Sequence, residues 1–319
     1  MLRIKTNKNP DIIVHESKTP FDILCMGLAK KYNARYIVDI EDLWPYEFEQ
    51  VGVMSKHNPI LKLFYKLQRY IYSKSEHVVI SMEGGKDYVR ERKWDNEQGG
   101  PIDINRVHYV NNGISLDEFK CNAETYIVND SDLTDKETFK VIYLGSIRLA
   151  NNLDQLLDAA KYLQDECKIV IMVYGDGPER KKLEERCNKE HIYNVKFKNK
   201  WTELQYVPYV LSCADLHILN YGKNWAPYGG SMNKMVMAFA SGKPMVCNVD
   251  MPYSEINRHN LGVDKNFSTP KEYAEAIKSI YRLKPEEYAN MCKRVKEVAK
   301  LYDINYLCNK FAECCEIKI

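Results

Sequence analysis

The feature that most constrains the fold of this chain is a regular alternation of short apolar runs with segments of helical spacing. The runs are rich in β-branched residues and are bounded by turn residues, which is typical of strands. They lie at residues 11–15, 36–40, 77–81, 107–111, 140–145, 168–175, 195–198, 215–221 and 244–249. Nearly continuous apolar strands that alternate with helices form parallel sheets covered by helices on both faces. The sequence therefore predicts an α/β protein.

Composition narrows the class of protein. The net charge of +2 gives no reason to expect a nucleic-acid partner. The ten cysteines are scattered except for the adjacent Cys314 and Cys315, and no CxxC occurs, so we expect reduced thiols rather than disulfides or a zinc site. The N-terminus lacks the apolar run of a secretion signal, and no segment approaches the roughly 20 apolar residues of a membrane span. We expect a soluble, cytoplasmic protein.

The second half of the chain has several glycine-rich junctions next to predicted strands and helices. Ligands of open parallel sheets bind at the carboxyl ends of the strands, where glycine lets the backbone approach a ligand closely. The junctions are Gly145-Ser146-Ile147-Arg148, Gly175-Asp176-Gly177 and Gly229-Gly230-Ser231. The G-D-G sequence alone is equally typical of an ordinary strand-to-helix loop. Three such junctions in one predicted domain favour a binding site.

The third junction leads into a predicted helix with a basic first turn. Ser231 is the predicted N-cap, and Gly242 with Pro244 ends the helix. A helix N-terminus next to a fixed cation is an anion site, because unpaired N–H groups and the helix dipole act together with the cation. Capping alone would explain Ser231 and Gly242 but not Asn233 and Lys234. We therefore favour a phosphate-binding role for Lys234 over that of a solvated surface lysine.

Ordered blocks of this sequence resemble those of family 4 glycosyltransferases. The blocks of the second half are VIYLGSIRLANNLDQLLDAAKYL, IVIMVYGDGPERKKLEE, YVLSCADLHIL and GGSMNKMVMAFASGKPMV, and those of the first half are YIVDIEDLWP and VHYVNNGISLDEF. The GGSMNKMVMAFASGKPMV block resembles that of bacterial transferases that build capsule or O-antigen sugars. The resemblance extends from about Pro10 to Tyr302. It implies the GT-B architecture, in which two Rossmann-like domains with parallel sheets face each other across a cleft.

The resemblance also implies a domain organisation. It places an incomplete N-terminal domain at residues 1–128, a donor-binding domain at residues 129–301, and a terminal helix that crosses back at residues 302–319. We interpret the polar residues 120–137 as an exposed linker. Compared with the family, about three N-terminal βα units are missing, so the strand at residues 11–15 should expose an apolar edge. Three explanations stay open: the reading frame is truncated, a separate polypeptide supplies the missing units, or a partner polypeptide or self-association covers the edge.

The function implied by the resemblance is retaining transfer of a sugar from a nucleotide diphosphate sugar to a glycan or lipid-linked acceptor in polysaccharide biosynthesis. Arg148 and Lys234 are the implied catalytic residues, which would stabilise the departing nucleoside diphosphate without a metal or other cofactor. The implied substrate-binding residues are Gly145, Ser146, Gly175, Asp176, Gly177, Lys198, Gly229, Gly230, Ser231, Asn233 and Met237. The implied acceptor-side residues are Ser17, Thr19 and Asp42.

Two positions depart from the family pattern. Met237 occupies the position at which many relatives carry an acidic residue that binds the ribose, and Glu255 is an alternative ribose ligand. Thr19 falls where relatives often carry a histidine, and His15 is the nearest imidazole. Retaining transfer needs no strong protein base, because the departing phosphate can accept the proton of the acceptor.

Other functions stay open from the sequence. A remnant or split subunit could bind nucleotide without catalysis, and a sugar-nucleotide epimerase shares the architecture, although it would need paired acids and a histidine. Residues 61–74 mix lysine and arginine with aromatic residues and could contact anionic lipid at the inner face of the membrane. We favour an ordinary amphipathic helix that packs Leu63, Leu67 and Ile71 onto the sheet.

Overall fold

The chain forms two compact α/β units. The structure, a computed structural model, describes residues 9–50, 52–166, 168–222, 227–230 and 232–317. The first unit consists of the described residues among 1–112, 228–231 and 307–319, and the second unit consists of those among 113–227 and 232–306. Each unit has its own parallel sheet, as the alternation of strands and helices predicted.

The first unit contains a four-stranded parallel sheet with the strand order β1-β2-β3-β4. The strands are β1 (Ile12–Glu16), β2 (Arg35–Ile40), β3 (His77–Ile80) and β4 (Val107–Tyr109). The helices that connect them are α1 (Ile23–Tyr32), α2 (Tyr46–Gln50), α3 (Pro59–Lys74) and α4 (Gly85–Glu91). All four strands were predicted from their apolar runs.

The two faces of the first sheet pack against different elements. Val38 and Ile40 of β2 pack in a cluster with residues of α3 and α4, whereas Ile37 packs with Leu307 and Cys315 near the C-terminus. β1 is the outer strand of the described sheet, and Val14 on it is 48 % exposed. The predicted apolar edge is therefore present.

The second unit contains a six-stranded parallel sheet with the order β10-β9-β8-β5-β6-β7. Its strands are β5 (Phe139–Leu144), β6 (Ile169–Tyr174), β7 (Val195–Phe197), β8 (Leu216–Leu219), β9 (Met245–Cys247) and β10 (Gly262–Asp264). Five of these strands were predicted. The tenth strand was missed because Gly262-Val263-Asp264 is too short to show an apolar pattern.

The remaining helices belong mainly to the second unit. They are α5 (Leu116–Thr125), α6 (Ser131–Thr134), α7 (Leu153–Lys161), α8 (Arg180–Lys189), α9 (Val207–Ser212), α10 (Asn233–Ser241), α11 (Glu255–Arg258), α12 (Pro270–Tyr281), α13 (Pro285–Ala299) and α14 (Ile304–Cys314). Short 3₁₀ helices lie at Pro20–Asp22, Asn96–Gln98, Ile104–Arg106, Leu149–Asn151, Leu204–Tyr206 and Lys300–Tyr302. Among the described residues, no helix has both the length and the apolarity needed to cross a membrane.

The predicted exposed linker at residues 120–137 is not an extended segment. It contains the end of α5, all of α6 and the buried side chain of Leu133. Phe119 on α5 packs against Val207 and Leu211 on α9. Because of this packing, residues 113–128 group with the second unit, whereas the sequence interpretation placed them in the first.

The packing predicted for α3 is partly wrong. Ile71 is buried and Leu67 is partly buried against the core, as predicted, but Leu63 is 61 % exposed. Leu61, in the first turn of α3, is fully buried instead. The outward position of Leu63 leaves an apolar side chain on a basic surface.

Candidate functional site

Lys234 lies in the first turn of α10 and is mostly enclosed by the second unit. Its ammonium donates a hydrogen bond to the Tyr143 hydroxyl at 3.3 Å. It also lies 5.1 Å from the centre of the Tyr143 ring and 5.9 Å from that of Tyr221. Both tyrosines are buried, so the ammonium has aromatic faces as its immediate neighbours.

The charge of Lys234 is not balanced by a carboxylate within the part of the chain that the structure describes. Burial, together with the nearby positive charge of Arg148, lowers the pKa of Lys234 to about 8. Arg148 itself is exposed and has no carboxylate partner among the described residues. An isolated buried cation is costly unless an anion accompanies it. The two cations therefore form a place suited to an anionic ligand.

The N-terminus of α10 adds backbone donors to this place. The N-cap position is Met232, whose side chain makes no capping hydrogen bond, so the prediction of Ser231 as N-cap is wrong by one residue. Ser231 itself lies outside the described residues. Asn233 is the exposed first residue of the helix. Gly242 ends the helix with a φ of 70°, as predicted.

Gly145 makes room for the Lys234 side chain. Gly145 follows β5 and has a φ of +151°. A Cβ at this position would lie 2.3 Å from Lys234 Cε and 2.5 Å from its Nζ. A Cβ here would force the end of the Lys234 side chain to move, and the positive φ would be strained for any other residue.

Gly175 and Gly177 serve the packing of two loops. A Cβ on Gly175 would lie 2.0 Å from the Gly145 carbonyl oxygen, and one on Gly177 would lie 2.2 Å from that of Ile147. Both glycines also have positive φ values, of +122° and +159°. From the sequence, these glycines were expected to let a ligand approach the backbone. The structure explains them by the approach of the loop after β5 to the loop after β6.

Polar residues of these two loops are held by local hydrogen bonds. The Ser146 hydroxyl donates to the Asn151 side chain at 3.2 Å, and the Ser146 carbonyl oxygen accepts from the Tyr143 hydroxyl at 2.6 Å. Asp176 is exposed, and its carboxylate accepts from the Gly177 N–H at 2.9 Å. Tyr143 thus connects the Ser146 backbone to the Lys234 ammonium.

Lys198 and Arg180 both bind other residues of the second unit. The Lys198 ammonium pairs with Asp130 at 2.8 Å and with Asp132, so the protein already supplies its counterions. Arg180 was missed by the sequence analysis. Its buried guanidinium donates to the carbonyl oxygens of Gly175 and Lys198 and thereby joins the ends of β6 and β7. The sequence feature that could have identified it is an arginine two residues after a Gly-Asp-Gly-Pro turn.

Met237 and Glu255, the two positions considered for ribose binding, both contact other residues of the protein. Met237 is partly buried and packs against the cluster of Phe119, Val207 and Leu211. The Glu255 carboxylate lies 3.2 Å from Arg258 and 2.9 Å from His259. Met237 is thus apolar because it contacts the core formed by α5 and α9.

Gly229 and Gly230 group with the first unit rather than with Lys234. The preceding Tyr228 donates a hydrogen bond from its hydroxyl to Glu91 at 2.6 Å and packs edge-on against Tyr88. Its carbonyl oxygen accepts from the Gly84 N–H at 2.9 Å. The sequence analysis had assigned these glycines and Lys234 to one junction.

Two of the three residues predicted for the acceptor side, Ser17 and Thr19, contact a buried carboxylate that was not predicted from the sequence. The Asp22 carboxylate accepts from the Ser17 hydroxyl at 2.5 Å and from the Thr19 hydroxyl at 3.1 Å, and His15 Nε2 lies 3.0 Å from it. Hydrogen bonds from His15, Ser17 and Thr19 outweigh burial and lower the pKa of Asp22. The Thr-Pro-x-Asp sequence, a form of capping box, was the available signal. Asp42 is exposed.

The described residues contain no cluster of three or more histidine, cysteine or acidic side chains that could hold a metal ion. The positive groups that the structure places near Lys234 are Arg148 and the N-terminus of α10.

Comparison with solved structures assigns the fold. HepE of Anabaena in complex with UDP is 14 % identical, with a TM-score of 0.71 over 95 % of this chain and 78 % of HepE. Sucrose-phosphate synthase of Thermosynechococcus elongatus is 15 % identical, with a TM-score of 0.66 over 94 % and 72 % of the two chains. WaaG, a glycosyltransferase involved in lipopolysaccharide biosynthesis, is 15 % identical, with a TM-score of 0.62 over 92 % and 81 %. The chain has the GT-B fold, as predicted.

The sequence comparison then gives the family. The family model of glycosyl transferases group 1 matches residues 128–300, which is more than half of the 319 residues. The chain belongs to the glycosyl transferases group 1 family and is a sugar transferase. No curated protein sequence matches it significantly.

Proposed function

We propose that this protein transfers a sugar from a nucleotide diphosphate sugar, with retention at the anomeric carbon, to a glycan or lipid-linked acceptor in the biosynthesis of a cell-surface polysaccharide. Family membership supports sugar transfer. The complexes of HepE with UDP and with UDP-glucose support a donor of this class. The involvement of WaaG in lipopolysaccharide biosynthesis supports the pathway.

The single observation that carries the proposal is the buried ammonium of Lys234, next to Arg148 and without a carboxylate among the described residues. A diphosphate brings the negative charge that this place lacks. It would accept hydrogen bonds from Lys234, Arg148 and the first N–H groups of α10. The phosphates would lie beside Gly145, where the backbone has no side chain.

The proposed reaction exchanges one bond at the anomeric carbon for another. The bond between the anomeric carbon and the phosphate oxygen breaks, and the acceptor oxygen forms a new bond on the same face of the sugar. The proton of the acceptor hydroxyl passes to the departing phosphate oxygen. Negative charge on the diphosphate grows as the bond breaks, so Lys234 and Arg148 stabilise the transition state more than the bound donor.

The remaining residues have supporting roles in this proposal. Asn233 and Ser231 would hold the diphosphate from the start of α10, with Ser146 and the glycines of the loops after β5 and β6 beside it. Asp176 and the end of β7 would face the nucleoside. Ser17, Thr19 and Asp42 would belong to the acceptor side.

The test is an assay of donor turnover with UDP- and GDP-sugars. The protein is incubated with each donor, and the released nucleoside diphosphate is quantified. We expect slow hydrolysis of one donor class, and NMR of the first sugar released should show the anomeric configuration of the donor. Inversion would refute the retaining mechanism. Binding without turnover would favour the alternative of a nucleotide-binding remnant.

A further inference from the structure

A short turn between β5 and α7 carries Arg148. The Arg148 side chain is exposed, and the 3₁₀ helix Leu149–Asn151 follows it directly. Asn152 ends this helix with a φ of 45°, in the left-handed region that asparagine adopts more readily than most residues. We call residues 148–152 the Arg148 turn. Because Arg148 has no carboxylate partner among the described residues, the position of its side chain depends on the backbone of this turn.

The side chain of Asn220 binds the end of the Arg148 turn. Asn220 directly follows β8, the strand next to β5, and is 1 % exposed. Its amide nitrogen donates two hydrogen bonds, to the carbonyl oxygen of Asn151 at 2.9 Å and to that of Asn152 at 2.6 Å. Carbonyl oxygens only accept hydrogen bonds, so the nitrogen of this amide must face the turn. Both N–H groups of the Asn220 amide are therefore used by the Arg148 turn.

Tyr273 fixes the other end of the same amide. The hydroxyl of Tyr273, a residue of α12 that is 0 % exposed, donates to Asn220 Oδ1 at 2.9 Å. The buried amide thus has a partner for its oxygen as well as for its nitrogen. A buried polar group that is fully bonded favours one arrangement, because any other arrangement leaves a polar atom without a partner. Asn220 is therefore a rigid support for the turn.

The residues after Asn220 bind the same turn. The Gly222 N–H donates to the Ala150 carbonyl oxygen at 2.8 Å. Between them, the backbone of Tyr221 exchanges two hydrogen bonds with the side chain of Asn248, at 2.8 Å and 2.9 Å. Asn248 follows β9, the next strand of the sheet. The segment after β8 is thus held by the end of β9 and binds three successive carbonyl oxygens of the Arg148 turn.

We infer that Asn220 is a positioning residue for sugar transfer, which acts by holding Arg148 where it meets the diphosphate of the donor. The inference rests on the proposed function, in which Arg148 and Lys234 bind that diphosphate. Lys234 is held separately, by Tyr143 and by the space beside Gly145. Loss of the Asn220 amide should therefore remove the contribution of Arg148 and leave that of Lys234.

The first test asks whether Asn220 holds the turn, and it needs no nucleotide. Trypsin cleaves after arginine, and the bond between Arg148 and the exposed Leu149 lies in the turn. Asn220→Ala should speed native-state cleavage of this bond about tenfold or more, because two lost hydrogen bonds let the turn open locally. The matched control is Asn194→Ala, which removes an amide hydrogen bond to the Ala160 carbonyl oxygen elsewhere in the second unit. The control should leave the cleavage rate after Arg148 unchanged.

The second test connects the turn to the ligand by a double-mutant cycle. Wild type, Asn220→Ala, Arg148→Gln and the double variant are titrated calorimetrically with UDP and GDP at pH 7. Asn220→Ala should weaken binding of the preferred diphosphate about as much as Arg148→Gln does. In the double variant the second substitution should add less than about a twofold loss, because the contact of Arg148 is already absent.

Two further variants complete the cycle. Tyr273→Phe should weaken diphosphate binding less than Asn220→Ala does, because it removes only the hydrogen bond that orients the amide. Asn194→Ala should bind the diphosphate as wild type does. Circular dichroism verifies the fold of each variant, and Tyr273→Phe provides the same comparisons if Asn220→Ala does not fold.

Three results would overturn the inference. One is unchanged diphosphate affinity of Asn220→Ala, and another is an equal loss of affinity with and without the Arg148 guanidinium. The third is a trypsin cleavage rate after Arg148 that does not change, or that rises equally in Asn194→Ala. Failure of wild type to bind either diphosphate would instead contradict the proposed function itself, while the cleavage rates would still show whether Asn220 holds the turn. The two failures are therefore distinguishable.

Discussion

The ammonium of Lys234 occupies the space that a side chain at residue 145 would need. A Cβ on Gly145 would lie 2.5 Å from Lys234 Nζ, and the same ammonium donates to the Tyr143 hydroxyl at 3.3 Å. The position of the cation is therefore set by the loop after β5 and by the strand before it. This relationship gives the first prediction.

Gly145→Ala should displace Lys234 and impair nucleotide binding. The new methyl group overlaps Cε and Nζ, and the φ of +151° is unfavourable for alanine. We expect binding of UDP or GDP, whichever wild type prefers, to weaken roughly tenfold or more, which corresponds to about 1.4 kcal/mol. Calorimetric titration measures this change.

Gly27→Ala is the matched control for that substitution. Gly27 lies in α1, and a Cβ there would have no neighbour within 4 Å. We expect unchanged nucleotide binding and a gain in stability of about 0.5–1 kcal/mol, because alanine favours the helix. An equal loss of binding in both variants would contradict the role of the space beside Gly145.

Lys234→Met should stabilise the fold and weaken the binding of a nucleoside diphosphate. The pKa of Lys234 is lowered to about 8 in the folded state, so folding is opposed by the cost of keeping the ammonium charged. That cost is fully present below pH 8 and disappears as the pH rises toward the ordinary lysine value. We expect a gain of about 2 kcal/mol in the free energy of unfolding at pH 7. Urea denaturation at pH 7 and pH 10 measures the gain, which should be smaller at pH 10.

Nucleotide binding should weaken as the pH rises above about 8. In the free protein, Lys234 loses its proton as the pH rises through its pKa of about 8. Binding of the anionic nucleotide requires the charged ammonium. Above that pH the dissociation constant should increase toward tenfold per pH unit. The control is Lys234→Arg, because arginine stays charged between pH 7 and pH 9.5. The affinity of this variant for the nucleotide should therefore not change over that range. A flat profile for wild type would contradict the assignment.

Gly175→Ala should act mainly on stability. A Cβ on Gly175 would overlap the Gly145 carbonyl oxygen at 2.0 Å, a backbone atom that cannot move without its loop. We expect a loss of about 2–4 kcal/mol in the free energy of unfolding. In the control Gly222→Ala, the Cβ would lie 3.6 Å from the Ala150 carbonyl oxygen, an ordinary contact, and stability should change by less than about 1 kcal/mol. Equal losses in the two variants would refute the packing role of Gly175.

The sequence predicted the structural features that depend on a local pattern of residues. Nine of the ten described strands follow apolar runs, and Gly242 ends α10 because a glycine can adopt a positive φ. The basic residue in the first turn of α10 was also identified. Each of these features is determined by a few consecutive residues.

The features that the sequence did not predict depend on contacts between distant residues. The roles of Gly175 and Gly177 depend on the loop after β5, which precedes them by about thirty residues. Arg180 joins two strand ends through the carbonyl oxygen of Lys198, which lies 18 residues later in the chain. Spacing in a single sequence contains no record of such contacts, because any glycine or charged residue fits the local pattern equally well.

In the proposed function, Lys234 and Arg148 hold the diphosphate of the donor. The most direct measurement is calorimetric titration of wild type, Lys234→Met and Arg148→Gln with UDP and GDP at pH 7, with uridine and guanosine as ligands that lack phosphate. We expect wild type to bind one of the two diphosphates, each variant to bind it at least about tenfold more weakly, and nucleoside binding to stay unchanged. Equal affinity of wild type and Lys234→Met for the diphosphate, or no binding of either diphosphate by wild type, would contradict it.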